Sequence, residues 1–239
     1  MNEKKNVILL TTRTTHHNFF INQISKICNL FIVFEKKKIK PIFETRHSYE
    51  IDQNIYEKKT WFNNKNFKTH AKLKILDVFD INDVATSIFI KKNNPDIIFS
   101  FGISKLNRDF LKKINKNIYN FHGGDTSFYR GLDNHLWSLY HNDINGLKVT
   151  LHQIDNDLDT GGIIFKKKLN LKKTNKLHQV RLLNTDACVS LAKKFIMSKS
   201  FKVRKSKKIG RYYSYMSGAL KNVINKNYIK KLKIIYNDY

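Results

Sequence analysis

Asn120 and His122 stand two residues apart at the end of a short apolar run, NIYNFH, and Asp159 follows in DNDLDTGG. Residues two apart on a strand project to the same face, so both side chains can leave its carboxyl end together. An amide there can donate to a developing oxyanion, and an imidazole exchanges protons near neutral pH. A carboxylate from a second loop can hold the imidazolium or help relay a proton through water. The three together suit attack of an amine on an acyl carbon with no covalent enzyme intermediate. Residue type alone leaves blander readings open. Asn120 could be a turn residue, His122 a satisfied loop histidine and Asp159 an Asx-turn acid before Thr-Gly-Gly.

Metal chemistry fits the same residues less well. Asp155, Asp157 and Asp159 have D-x-D-x-D spacing, but a calcium loop needs glycine at its sixth position and glutamate at its twelfth. Thr160 and Lys166 stand there. A zinc set of His122, His135, His141 and Asp159 lacks HExxH or CxxC spacing, so no metal is expected. His16 and His17 are adjacent, point apart, and read as surface histidines.

The elements that must position these residues follow from apolar patterning. Val7–Leu10 is a short strand. Phe20, Ile24 and Ile27 mark one face of a helix, and Leu30–Phe34 reads as a buried parallel strand. The first turn has no glycine, so the dinucleotide fingerprint is absent. Residues 36–74 are the least regular, with one exposed helix over Tyr49–Phe62 anchored by Trp61 or Phe62, then a strand at Leu73–Leu76. Asp80 is expected to cap a helix over Ile81–Lys92 with Val84, Ile88 and Ile90 inward. Ile97–Phe101 is the next strand, a helix carries Leu106, Phe110 and Leu111, and Ile118–Phe121 leads into the Asn-His segment. After it come a helix over Leu132–Tyr140 with Leu136, Leu139 and Tyr140 inward, strands at Leu147–Leu151 and Ile163–Leu169, and a long helix within Thr174–Met197. The expected fold class is α/β, a doubly wound and mostly parallel sheet. Ligands of such sheets bind beyond the carboxyl ends of the strands.

At 239 residues and 41% hydrophobic content the chain can bury a sizeable core. Residues 1–200 read as one catalytic domain and 201–239 as a basic C-terminal extension. The net charge of +26 can attract nucleic acid, anionic lipid or phosphorylated substrates. Lys, Asn, Ile, Phe and Tyr rise together as under a codon bias, which leaves the low acidic count unexplained. Cys28 and Cys188 make no metal or redox spacing and read as reduced thiols of a cytoplasmic protein. No run approaches the ~18 apolar residues of a membrane span, and Val7–Leu10 is too short for a signal peptide.

Two segments carry a family resemblance. NFHGGDTSFYRG resembles the N-x-H-(P/G)-S-L-L-P-x-x-R-G segment of the folate-dependent formyltransferases, and DNDLDTGGII resembles their D-x-x-(L/I)-D-x-G-x-(I/L) segment. Both align without gaps, in order, and FSFGISKL matches the preceding strand and turn more loosely. The resemblance spans about residues 5–200. It implies a Rossmann-like formyltransferase domain that uses 10-formyltetrahydrofolate as co-substrate, without metal. By position, Asn120, His122 and Asp159 match the family's catalytic Asn, His and Asp. Phe101, Gly102, Ile103 and Ser104, with Asp155, Asn156, Asp157 and Leu158, would line the folate pocket. Gly123, Gly124, Tyr129 and Arg130 lie on the loop that borders the acceptor.

Two departures stand out. Gly124-Asp125-Thr126-Ser127 replaces Ser-Leu-Leu-Pro, which puts the usual acceptors in doubt. The tail is shorter than the extra domain of a methionyl-tRNA formyltransferase. The favoured expectation is formylation of a small phosphorylated amine, first a nucleotide-linked amino sugar, with Arg130 and tail lysines facing its pyrophosphate. The alternatives are glycinamide-ribonucleotide or methionyl-tRNA formylation, formyltetrahydrofolate hydrolysis, and an inactive nucleic-acid-binding relative. A homodimer is left open.

Overall fold

Continuous apolar runs build the centre of the molecule, as a parallel sheet covered on both faces requires. The computed structural model describes residues 3–38, 40–65, 73–206 and 208–237. Part of the irregular stretch 36–74 and the last two tail residues lie outside them. The chain begins β1 (Asn6–Thr11), α1 (Thr15–Ile24), β2 (Asn29–Glu35), α2 (Tyr49–Phe62), β3 (Lys74–Val78), α3 (Val84–Asn93). It continues β4 (Ile97–Phe101), α4 (Arg108–Ile114), β5 (Ile118–His122), β6 (Tyr129–Gly131), α5 (Asn134–His141), β7 (Lys148–Gln153) and β8 (Ile163–Lys168). The long helix is α6 (Val180–Met197), and the tail forms β9 (Arg211–Tyr213), α7 (Gly218–Lys226) and α8 (Tyr228–Asn237).

Seven strands form one sheet in the order β3-β2-β1-β4-β5-β7-β8. The first five run parallel, and β7 and β8 add antiparallel. This is the α/β Rossmann-like architecture expected. β6 and β9 pair separately beside it. One core packs α1, α6 and the tail on one face, through Phe20, Phe99, Phe121 and Phe195. The other packs α3 and α4 on the opposite face, through Ile8, Leu10, Ile98 and Phe110.

Helix caps decide several boundaries. Thr14 caps α1, Asn107 caps α4, and Asp83 rather than Asp80 caps α3. Starting α3 later rotates its face: Ile90 is buried, whereas Val84 and Ile88 are exposed. Asp80 instead holds Asn82 and Lys37. Tyr140 on α5 is likewise exposed. Trp61 is the aromatic anchor of α2, stacked on Phe19 with ring centroids 4.3 Å apart.

The tail joins the main core. Met216, Ile224, Tyr228, Leu232 and Ile235 belong to the same apolar cluster as the sheet. Lys221 of α7 is buried and reaches Thr45 O, Glu50 and Asp133. Its ammonium cancels acidic charge at the edge of the cleft described below. Cys28 and Cys188 are free and buried. Among the described residues, no helix is long and apolar enough to cross a membrane.

Candidate active site

The central strands end on one rim, and their last side chains converge there. Asn120 and His122 point from the end of β5 to one face, as their spacing required. Antiparallel pairing sets His152 of β7 opposite Asn120, and Thr150 opposite His122. The turn between β7 and β8 then brings in Asp159. It adopts a left-handed conformation at φ 56°, which a short polar residue tolerates better than most.

One carboxylate oxygen joins two imidazoles. Asp159 Oδ1 lies 3.4 Å from His122 Nδ1 and 3.4 Å from His152 Nε2. Asp159 Oδ2 accepts from the Gly131 N–H at 2.9 Å. Burial alone would raise this carboxyl; the two imidazoles and the Gly131 N–H outweigh it and hold it down to about 2. Asp159 is therefore an anion at neutral pH. Burial lowers the pKa of His122, and Asp159 offsets this only in part.

Hydrogen-bond partners fix the tautomers. His152 Nδ1 lies 2.7 Å from Gln153 O, which can only accept, so Nδ1 carries a proton. Its Nε2 is then the exchangeable nitrogen, 3.3 Å from Asn120 Nδ2. When neutral it accepts from that amide, and when protonated it can donate to Asp159. His122 is partnered in both states as well. Its Nε2 lies 3.0 Å from Tyr129 O and 3.0 Å from Asn134 Nδ2. The neutral ring accepts from Asn134, and the charged ring donates to the Tyr129 carbonyl. Asn134 Nδ2 also donates to Gly131 O at 2.9 Å, which fixes its carboxamide orientation.

Two hollows meet at these groups. A cleft of about 560 Å³ is lined by His16, His17, Phe101, Gly102, Ile103, Asn120, His122, Gly123, Asn134, Asp159 and the inner faces of α2 and α6. A smaller recess of about 70 Å³ has Asn120, His152 and Asp159 among its lining, with Ile103, Ser104, Leu106, Ile154, Asp155, Asp157 and Leu158. Asn120 and Asp159 belong to both. Asn156 is exposed and lines neither. The buried Glu35, at the end of β2, holds the turn after β4 by accepting from Ser104 N at 2.7 Å and Ser104 Oγ at 2.5 Å.

The acceptor-side loop is used differently from the sequence expectation. Arg130 donates to Gly210 O at 2.6 Å and Leu158 O at 3.1 Å, so its guanidinium ties two turns together. Tyr129 is buried, stacks on Tyr213 and donates to Asp143 at 2.9 Å. Gly124 packs against Asn134 and the His122 ring. Of these loop residues, Gly123 lines the cleft. Asp125, one of the residues that departs from the family pattern, is buried and clamps the loop through Lys148 at 2.9 Å and Lys166 at 2.5 Å.

His16 and His17 are corrected from surface residues to residues of the cleft. His17 is buried over Gly102, where an added Cβ would meet the ring at 2.6 Å. His135 and His141 do not join Asp159: His135 donates to Lys148 O, and His141 stacks on Trp137. His152, Asn134 and Glu35 escaped sequence reasoning. His152 carried a usable signal, since polar residues alternating along Thr150 and His152 face the same side as Asn120 and His122.

Comparison with known proteins identifies the family and the fold. The formyl transferase family model matches residues 28–186, from the start of β2 into α6. A curated relative, the bifunctional polymyxin resistance protein ArnA of Wigglesworthia glossinidia brevipalpis, is 33% identical over 132 residues. That match covers 53% of this chain and about a fifth, 20%, of the relative. Among solved structures, the formyltransferase PseJ from Anoxybacillus kamchatkensis, in complex with UDP-4,6-dideoxy-4-formamido-L-AltNAc and tetrahydrofolate, is similar with a TM-score of 0.54. Identity is 18%, covering 87% of this chain and 85% of that one. The methionyl-tRNA formyltransferase from Clostridium thermocellum is similar at TM-score 0.57 and 14% identity, over 89% and 73% of the two chains. At these identities the structures attest the fold.

Proposed function

The chain belongs to the formyl transferase family, and on that premise we propose that it transfers a formyl group from 10-formyltetrahydrofolate to the primary amine of a nucleotide-linked amino sugar. The observation that carries this reading is the single Asp159 oxygen shared by His122 and His152, beside Asn120, where two hollows meet. Two hollows touching at one polar point suit a group passed from one ligand to another.

The lining of the smaller recess supports the folate side as the seat for one edge of the ring. Ile103, Leu106, Ile154 and Leu158 are apolar walls for a flat ring, and Asn120 and Asp159 supply polar groups at its inner end. When bound, 10-formyltetrahydrofolate supplies the acyl carbon. Asn120 donates from Nδ2 to negative charge developing on the acyl oxygen, while Ser100 Oγ, 3.1 Å from Asn120 Oδ1, keeps the amide turned that way. His122 takes up the proton lost by the attacking amine, becomes an imidazolium held at both nitrogens, by Asp159 and by the Tyr129 carbonyl, and returns that proton to the folate nitrogen from which the formyl carbon departs. Its charge then stabilises the same oxygen. Asp159 stays ionised and supports that charge, and the proton moves between the imidazole and the ligands by way of water. The acceptor is assigned to the larger cleft, with Gly123 at its floor.

The test is chemical identification of the product. Purified protein, 10-formyltetrahydrofolate and a panel of amino-sugar nucleotides should yield an N-formylated sugar by mass spectrometry. Formate released at the same rate without an amine would instead select a hydrolase. Steeply salt-dependent RNA binding without folate binding would select a nucleic-acid-binding relative.

A further inference from the structure

The wall of the larger cleft holds hydrogen-bonding capacity that the protein itself does not use. Among the described residues, five buried side-chain polar atoms have no protein partner: His17 Nε2, Thr86 Oγ1, Thr126 Oγ1, Asn134 Oδ1 and Asn184 Oδ1. Three of these residues, His17, Asn134 and Asn184, line this one cleft. Buried polar atoms are nearly always paired, and an unpaired one costs roughly 1–3 kcal/mol. Three in a single cleft mark a surface completed by something that binds there.

The types of atom define what binds. Asn134 Oδ1 and Asn184 Oδ1 can only accept, so the ligand must present donors. The orientation of Asn134 is settled, because its Nδ2 serves His122 and Gly131 O. His17 is held by Thr12 Oγ1 at 2.9 Å and Thr14 Oγ1 at 3.0 Å from Nδ1, leaving Nε2 for one further bond. Burial, with Arg181 adding to it, lowers His17 to about 3, so the ring is neutral.

Charge on this wall is already balanced. Arg181 is bound by the buried Glu57 at 2.7 Å and 2.8 Å and also donates to Asn54 at 2.8 Å. Glu50 is bound to Lys221, whose ammonium also lies 3.8 Å from Asp133. A phosphate would find its neighbouring cation, Arg181, spent on a carboxylate. A ring with several hydroxyls would find acceptors with open valence.

We propose that His17, Asn134 and Asn184 form a subsite for the hydroxyl groups of the acceptor's sugar ring, and that the nucleotide's phosphates lie elsewhere. This rests on the formyl-transfer reading and adds to it which part of the acceptor this wall reads. The three atoms are closed to solvent in the free protein, so binding opens the wall over them by rotamer shifts of its neighbours, a common adjustment at interfaces, while Asn134 keeps its bonds to His122 and Gly131 O.

Asn184 gives the cleanest test, because its oxygen has no bond to lose. Asn184→Leu should melt no lower than wild type, since removing an unpaired buried oxygen is neutral or stabilising. Titration calorimetry without folate compares a panel of amino-sugar nucleotides, including the 4-amino precursor of the sugar bound by the PseJ neighbour, with UDP alone. The expected result is amino-sugar binding weakened about tenfold in Asn184→Leu, roughly the worth of one buried hydrogen bond, with UDP binding unchanged. Asn184→Gln, which keeps an acceptor, should recover part of the loss. Equal weakening for UDP and amino sugars would mean that the wall reads the nucleotide, and the proposal falls. Unchanged binding of both also overturns it, as does a wild-type protein that binds none of the panel. Because this assay needs no turnover, sugar binding without formylation would sink the formyl-transfer reading while leaving the subsite standing.

Discussion

Two clefts of the same volume, about 560 Å³ each, open at opposite ends of the sheet. One lies at the starts of β4 and β5, lined by Asp96, Asn115, Lys116, Asn117 and Tyr119 among others. Its charges are already engaged: Asp96 accepts from Asn6 N at 2.8 Å, and Lys116 donates to Asn94 at 2.9 Å and Pro95 O at 3.1 Å. The other lies at the strand ends and gathers a buried Asp, one of the two imidazoles bound to it and three unpartnered polar atoms. Size therefore identifies neither cleft. Leftover chemical capacity does, and it collects where parallel strands end together.

Substitutions at the two ends of the sheet should separate the clefts. The largest effect is expected at the strand ends: His122→Ala or Asp159→Asn should lower kcat/KM by ~100-fold or more, the scale of a lost acid–base group. Lys116→Ala in the opposite cleft should leave steady-state kinetics within twofold (about 0.4 kcal/mol). Equal losses at both ends would erase the distinction between the clefts.

Gly102→Ala should come next. The residue has φ 73°, and an added methyl would meet the His17 ring at 2.6 Å. A loss of roughly 1–3 kcal/mol in denaturant unfolding is expected from strain and displacement of His17. Asp125→Ala should cost a similar amount by stranding Lys148 and Lys166, and circular dichroism melts would register both.

The pH responses are smaller and have fixed signs. Asp159 is held down to about 2 in the fold, below its ordinary value of 3.8. Its contribution to stability is present above the unfolded value and is lost as pH falls from about 4 toward about 2. Acid melts of Asp159→Asn should lack that component. His122 is lowered from 6.5 by burial, so an acid limb of the kcat/KM profile governed by its deprotonation should lie below pH 6.5. A limb above that value would assign it to another group.

Strands and the trio that the fold brings together, Asn120, His122 and Asp159, were legible because each carries a local signal. Ile97–Phe101 and Tyr49–Phe62 are bounded as the apolar run and the mixed helical pattern indicated, and Asn120, His122 and Asp159 sit in turn chemistry beside apolar runs. What escaped depends on distant partners. His152 reads as an ordinary strand residue until its register opposite Asn120 is known. His17 looks exposed because its neighbours are polar, yet Phe101 and Gly102, 84 and 85 residues further along the chain, cover it in a way no local pattern encodes. Lysine density hid the tail's apolar stripe at Ile224, Tyr228, Leu232 and Ile235. Arg130 is expected to face an anion, while two of its five N–H groups donate to backbone carbonyls.

The most direct measurement is tetrahydrofolate release from 10-formyltetrahydrofolate, followed with and without an amino-sugar nucleotide, in wild type and His122→Ala. Release that requires the amine and falls by ~100-fold in the variant is the predicted result. Release indifferent to the amine, or undiminished without the imidazole, would contradict formyl transfer at the shared Asp159 oxygen.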